Sequence, residues 1–118
     1  MITTGKSESV PPRTYNDGET VRSVEKRVLI GPKQGAENFV MRRFTIGVGG
    51  HTPYHTHPWE HEVYVLRGSG EACFSGGKEA IGPDDYVFVP SLDEHQFVNT
   101  GDEPLEFLCL VPLEGDDG

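Results

Sequence analysis

The chain holds five histidines, and four of them, His51, His55, His57 and His61, fall between residues 51 and 61 beside Gly49-Gly50, while His95 stands alone further on. Imidazole is the commonest side-chain ligand for divalent transition metals, so this clustering in a chain otherwise poor in histidine points to metal chemistry. His55 and His57 are two apart, and on an extended strand residues i and i+2 project from the same face, where both rings can reach one ion. Pro58 interrupts that strand. His61 shares the odd parity of His55 and His57 and the face of Val63 and Val65, which reads as the inward face. His95 lies in phase with Phe97 and Asn99, and closing a barrel can bring it across from the others. Three imidazoles of one parity entering one core are unfavourable unless something uses their lone pairs; a metal does so. His51 is read as an ordinary polar or surface histidine.

The elements that must position these rings are short. Apolar runs alternate with Gly, Pro and Asp from Val28 onward, the pattern of an all-β sandwich or barrel. The candidate strands are Arg27–Ile30, Phe39–Ile46, His61–Arg67, Glu71–Ser75, Glu79–Ile81, Tyr86–Pro90, His95–Asn99 and Leu105–Val111, with Gly76-Gly77 as a hairpin turn. Apolar residues do not recur at helical spacing over three turns, and nine prolines with fifteen glycines argue against long helices. Strands this short and this numerous suit a jelly roll or barrel that closes its own edges. Residues 1–20 are polar and broken by Pro11, Pro12 and Gly18, and they read as a loose N-terminal arm. The barrel domain is expected over 21–113, with an acidic C-terminal tail over 114–118.

At 118 residues the chain fits one domain. Nineteen acidic residues against ten basic ones give a formal net charge of −9, which repels phosphate backbones and makes nucleic acid and anionic membranes poor partners. No apolar run resembles a signal peptide or reaches the roughly 20 residues of a membrane span. Cys73 and Cys109 lack C-x-x-C spacing, and reduced thiols in a cytoplasmic protein are the expectation.

The motifs resemble those of the cupins. The first cupin motif reads G-x5-H-x-H-x3,4-E-x6-G, and Gly49, His55, His57, His61 and Gly68 match it with His61 at the usual Glu position. Pro90, His95 and Asn99 match the second half of the second motif, G-x5-P-x-G-x2-H-x3-N, with Leu92 replacing a usual Gly and Asp84 at the place of the leading Gly. The text HTHPWEHEVYVLRG, together with VRSVEKRVLIG, NFVMRRFTI and FLCLVP, is similar to small bacterial single-domain cupins whose metal sits in four histidines, a manganese type. In that subgroup a His does replace the usual Glu. Glu62 is the rival ligand, since it satisfies the x4 spacing and would give three His and one Glu. It then stands only five residues from Gly68, and it has the wrong parity unless a bulge near Pro58 resets the strand.

The resemblance implies a double-stranded β-helix, a homodimer, and Mn(II) at His55, His57, His61 and His95, with Fe, Cu, Ni or Zn as possible occupants of such a site. Four neutral imidazoles leave the ion's charge uncompensated, and an octahedral ion keeps two positions for water, substrate or oxidant. All-His cupins resemble oxygenases, so the first functional expectation is a metal-dependent oxidoreductase or dioxygenase acting on a small apolar or enolisable molecule. A metal-dependent isomerase or lyase is the second. It wants an acid or base in the pocket, for which only Glu60, Glu62 and outward-facing Tyr64 offer themselves. A non-catalytic ligand-binding module is the third. No catalytic residue beyond the metal ligands is singled out. Phe97, Phe107, Cys109 and Val111 have the parity to line the pocket or to form plain core. The resemblance places Cys109 near the metal, while free cysteines are usually small buried hydrophobes, the reading given to Cys73.

Overall fold

A computed structural model describes residues 1–116. Among the described residues, nine antiparallel strands form one curled sheet: β1 (Arg13–Tyr15), β2 (Arg22–Ile30), β3 (Phe39–His51), β4 (His61–Arg67), β5 (Gly70–Phe74), β6 (Gly77–Ile81), β7 (Tyr86–Val89), β8 (His95–Asn99) and β9 (Leu105–Pro112). The only helical turns among the described residues are short 3-10 turns at Ser7–Ser9, Pro32–Gln34 and Leu113–Gly115. The strand order is β6-β5-β8-β3-β9-β4-β7, with β2 also on β3 and β1 on β2. The all-β jelly-roll expectation holds.

β3 joins the two halves of the sheet. Its first part pairs with β9 from Phe39↔Pro112 to Ile46↔Leu105, and its end turns to meet β8 at His51↔Val98. The bend falls at Gly49 and Gly50. Gly49 has φ 77°, and a Cβ on Gly50 would sit 2.5 Å from the Arg22 carbonyl oxygen, so both positions need glycine.

Alternation sets the core. β4 buries His61, Val63 and Val65 and exposes Glu62, Tyr64 and Leu66. β9 buries Leu105, Phe107, Cys109 and Val111. Phe107 is stacked on Phe44 and tilted against Phe97, with centroids 5.4 and 4.9 Å away; burying such a ring stabilises by roughly 1.5–3 kcal/mol. Asn99 is buried but satisfied: its Nδ2 donates to the carbonyls of Ile46 and Glu103, and its Oδ1 accepts from Gly101 N–H, each at 2.9 Å. Its place in the motif is thus structural, bolting β8 to β3 and to the turn before β9.

The structure corrects the sequence reading in four places. The loose arm contains a strand: Arg13–Tyr15 pairs with β2 from Arg13↔Lys26 to Tyr15↔Val24. β2 begins at Arg22 rather than Arg27, behind a bulge at Ser23 (φ 54°) and a charged stretch that hides its alternation. His55 and His57 do not share a strand; His55 makes only an isolated bridge to His95 within a loop. The acidic tail is also partly built in, because the Asp116 side chain is only 5% exposed; Asp117 and Gly118 lie outside the described residues.

Leu92 and Asp84, at the two motif positions where glycine is usual, keep left-handed backbone (φ 71° and 72°). Leu92 is 67% exposed, so its side chain contributes little burial to offset that strain. Leu92→Gly is expected to raise the unfolding free energy by roughly 1 kcal/mol, read from urea denaturation. A lowered stability would show that Leu92 makes contacts that outweigh its backbone strain.

Candidate metal centre

Four histidine rings from three parts of the chain lie near one another. His61 opens β4, His95 opens β8, and His55 and His57 come from the loop after β3. Backbone hydrogen bonds fix that loop against β8: His55 N–H donates to the His95 carbonyl at 3.1 Å, and His95 N–H returns to the His55 carbonyl at 3.0 Å. Leu92 N–H donates to the His57 carbonyl at 2.7 Å, and the Thr56 hydroxyl donates to the Leu92 carbonyl at 2.6 Å. The left-handed residue at Leu92 therefore clasps the loop that carries His57.

The ring centroids lie close: His55–His57 4.2 Å, His55–His95 4.9 Å, His57–His95 5.3 Å, His57–His61 5.1 Å and His61–His95 4.8 Å. Ligand nitrogens of His55, His57 and His95 all lie within 4.8 Å of one another. The His61 ring packs beside His57 and His95 but lies outside this trio of ligand atoms, and its buried Nε2 has no hydrogen-bond partner. Two rings have their other nitrogen engaged. His95 Nδ1 lies 3.0 Å from the Asp93 carbonyl, which can only accept, so Nδ1 carries the proton and the Nε2 lone pair is free. His61 Nδ1 lies 3.3 Å from Cys109 Sγ. His57 stacks on Trp59, with centroids 4.7 Å apart and planes 7° from parallel. His51 stays outside the cluster, its Nδ1 turned to the Thr52 carbonyl. Glu62 faces outward from β4, as its parity implied.

Burial keeps these imidazoles neutral. Desolvation pushes His55 down to about 4 and His61 down to about 3, with the neighbouring rings adding to both. Desolvation also lowers His57 and His95. Neutral nitrogens with free lone pairs, one of them buried without a partner, fit a divalent ion of borderline softness.

Beside the cluster lies a cavity of about 390 Å³. Phe44, Phe97, Phe107 and Trp59 form its apolar wall, and Cys109 lies between this wall and His61. Val111, expected to line the pocket, does not. Its parity is inward, but it sits one step beyond Cys109, opposite Val40, and the turn Leu113–Gly115 folds under it. The residues missed from sequence are Phe44 and Trp59 in the wall and the charged Lys26, Arg42, Glu114 and Asp116. Asp116 Oδ1 accepts from Lys26 Nζ at 2.9 Å and from Arg42 Nη1 at 3.2 Å, and Arg42 Nη2 donates to Cys109 Sγ at 3.0 Å. A signal existed: Lys26 is in phase with Val24, and Arg42 with Val40. Nothing in the sequence pointed to Asp116.

Because the folded rings titrate below the ordinary histidine value of 6.5, the unfolded chain takes up protons first as pH falls. Histidine-linked stability is therefore intact above about pH 6.5 and is lost on acidification towards the folded values near 4 and 3. Chelator-treated protein is expected to show a falling Tm between pH 7 and pH 5, and His55→Phe/His61→Leu protein a shallower fall. Equal slopes would mean that these rings are not the groups responsible.

The Cupin domain family profile matches residues 42–111. The chain is 40% identical over 95 residues to a 1-methylthio-D-xylulose 5-phosphate methylsulfurylase of Rhodospirillum rubrum, covering 80% of this chain and 60% of that protein. It is 31% identical over 110 residues to an oxalate-binding protein of Thermotoga maritima, covering 91% of this chain and 90% of that one. Among solved structures, the polyketide cyclase RemF from Streptomyces resistomycificus superposes with a TM-score of 0.86 at 31% identity, covering 96% of this chain and 80% of that one. With the barrel, the motif positions and a profile spanning more than half of the chain in agreement, the protein belongs to the cupin domain family.

Proposed function

We propose that His55, His57, His61 and His95 hold one divalent transition-metal ion, Mn(II) by family resemblance, and that the protein is a metal-dependent enzyme acting on a small molecule by polarisation and proton transfer. The observation that carries the chemistry is the ionisable lining of the pocket: Lys26, Arg42, Asp116 and Glu114 stand in the same cavity as the four rings. Sequence reasoning lacked any such inward-facing acid or base. Relatives named as a methylsulfurylase and a polyketide cyclase support an enzyme outside the oxygenases. The chain spans 60% of the methylsulfurylase's length, and no particular substrate is carried over from it.

When bound, the ion supplies Lewis acidity to an oxygen donor of the substrate. The chain's own residues do the rest. Phe44, Phe97, Phe107 and Trp59 exclude water beside the reacting atoms. Lys26 and Arg42 bring positive charge to the wall and favour a substrate in its anionic form. The Glu114 carboxylate, exposed at the mouth, can accept a proton and pass it to solvent.

A second reading, a metal-dependent oxidoreductase or dioxygenase, draws on the all-neutral ligand set and on the Cys109 sulfur 3.3 Å from His61. Two measurements test these readings. Elemental analysis of purified protein is expected to give about one metal per chain, retained in Glu62→Ala and lost in His61→Ala; the reverse pattern would overturn the ligand set. A panel of small enolisable ketones in D2O under argon, followed by NMR, is expected to show metal-dependent deuterium uptake at the enolisable carbon. Turnover that appears only with dioxygen or peroxide would replace the first reading with the second.

A further inference from the structure

Lys26 and Arg42 are 5% and 6% exposed, and both line the apolar cavity. A buried cation in such surroundings is unfavourable without an anion beside it. Here the anion comes from an unusual place. A single oxygen, Asp116 Oδ1, accepts from both cations, and Asp116 arrives on the short turn Leu113–Gly115 that follows β9. That turn is held by long backbone hydrogen bonds, 3.3 Å from Leu113 N–H to the Asn38 carbonyl and 3.5 Å from Asp116 N–H to the Leu113 carbonyl, at the weak end of the useful range. Its Gly115 lies against Trp59, so that a Cβ there would come within 3.0 Å of the indole. The fit to Arg42 is also incomplete. Asp116 meets Nη1 with one oxygen, while the buried Nε of Arg42 has no hydrogen-bond partner. A guanidinium prefers to meet a carboxylate with two parallel N–H donors, which this tethered carboxylate does not achieve.

We propose that Lys26 and Arg42 are the carboxylate subsite of the pocket, and that the Asp116 carboxylate is its internal occupant, displaced with the Leu113–Asp116 segment when a small carboxylic acid binds. An entering carboxylate can satisfy the unpartnered Nε along with an Nη and keep Lys26 neutralised, while its chain lies on the phenyl rings. One thiol, Cys109, separates the Arg42 guanidinium from the His61 ring, at 3.0 and 3.3 Å. A short acid anchored at Arg42 therefore extends towards the four histidines. The subsite names the substrate class of the function proposed above and rests on that pocket being the small-molecule site, but it does not need the ion for binding.

The test uses Trp59, the chain's single tryptophan, as reporter. Butyrate, butyramide and inorganic phosphate are titrated into purified protein at constant ionic strength, with metal content measured on the same samples. Butyrate is expected to shift the Trp59 emission to longer wavelength and to saturate; butyramide is not. Asp116→Asn removes the internal competitor, and Gly115→Val lifts the segment by crowding Val111 and Trp59 while leaving the cations in place. Both are expected to tighten butyrate roughly tenfold or more, since the occupied state no longer withholds the site. Butyrate should also raise the Tm of Asp116→Asn more than that of the parent. Adding Arg42→Met to Gly115→Val should abolish the gain. If Asp116→Asn does not fold, Gly115→Val alone decides. Unchanged butyrate affinity in the variants, equal binding of butyramide, or tighter binding of phosphate would overturn the proposal. Metal-loaded protein with no carboxylate response would sink the subsite alone, whereas protein that takes up no added divalent metal yet still binds butyrate would sink the metal reading and leave the subsite standing.

Discussion

The site depends on holding four imidazoles, uncharged, in one desolvated place. Each ring gives up water, and burial lowers the proton affinity of all four. Such an arrangement persists only if the backbone leaves the rings no alternative. The reciprocal hydrogen bonds between His55 and His95 do this, tying the loop after β3 to the start of β8. The clasp from Leu92 to His57 does the same for the second loop ring. The two rings on strands need no such help, because His61 and His95 are fixed by the inward face of β4 and β8. The sheet's curl at Gly49-Gly50 is what lets these separate supports meet.

Much of this was legible in the sequence wherever alternation was clean. β4, β8 and β9 follow the two-residue period, so the inward placement of His61, His95, Phe97, Phe107 and Cys109 could be read from parity. Parity also separated His61 from Glu62. It worked less well at His55 and His57. Their common direction is real, but it comes from a loop held by a bridge rather than from a strand, and a period-two argument has no term for that. Val111 shows the opposite limit. Its parity was right, and a turn from later in the chain covers it. Parity gives the face; it does not give how far along the barrel the cavity extends.

The charged wall was missed for a related reason. Lys26 and Arg42 occupy inward positions, yet charged residues inside strands are ordinarily assigned to solvent because burial is so unfavourable. That assignment fails here because Asp116, distant in sequence, supplies the compensating charge. A local reading cannot see a partner that only the folded chain brings near. β1 was hidden in the same way: Arg13–Tyr15 has no apolar pattern of its own and becomes a strand by pairing with β2.

Cys109 connects the two halves of the pocket. Its sulfur lies between the Arg42 guanidinium, which donates to it, and His61 Nδ1. Burial raises the thiol's proton affinity, and the Arg42 charge opposes that without reversing it. A protonated thiol here is a soft, weak acceptor, compact enough to let a cation and a neutral imidazole approach one atom. With Arg42 drawing on the sulfur from one side, His61 is best served by donating from Nδ1, which leaves its buried Nε2 lone pair for the cluster. The sulfur therefore links the cationic wall to the histidine cluster through a single buried atom. Inside a chain whose overall charge is −9, this pocket gathers Lys26 and Arg42 around an apolar hollow. The acidity read from composition thus describes the exterior, while inside the pocket the two cations are matched by Asp116 and Glu114.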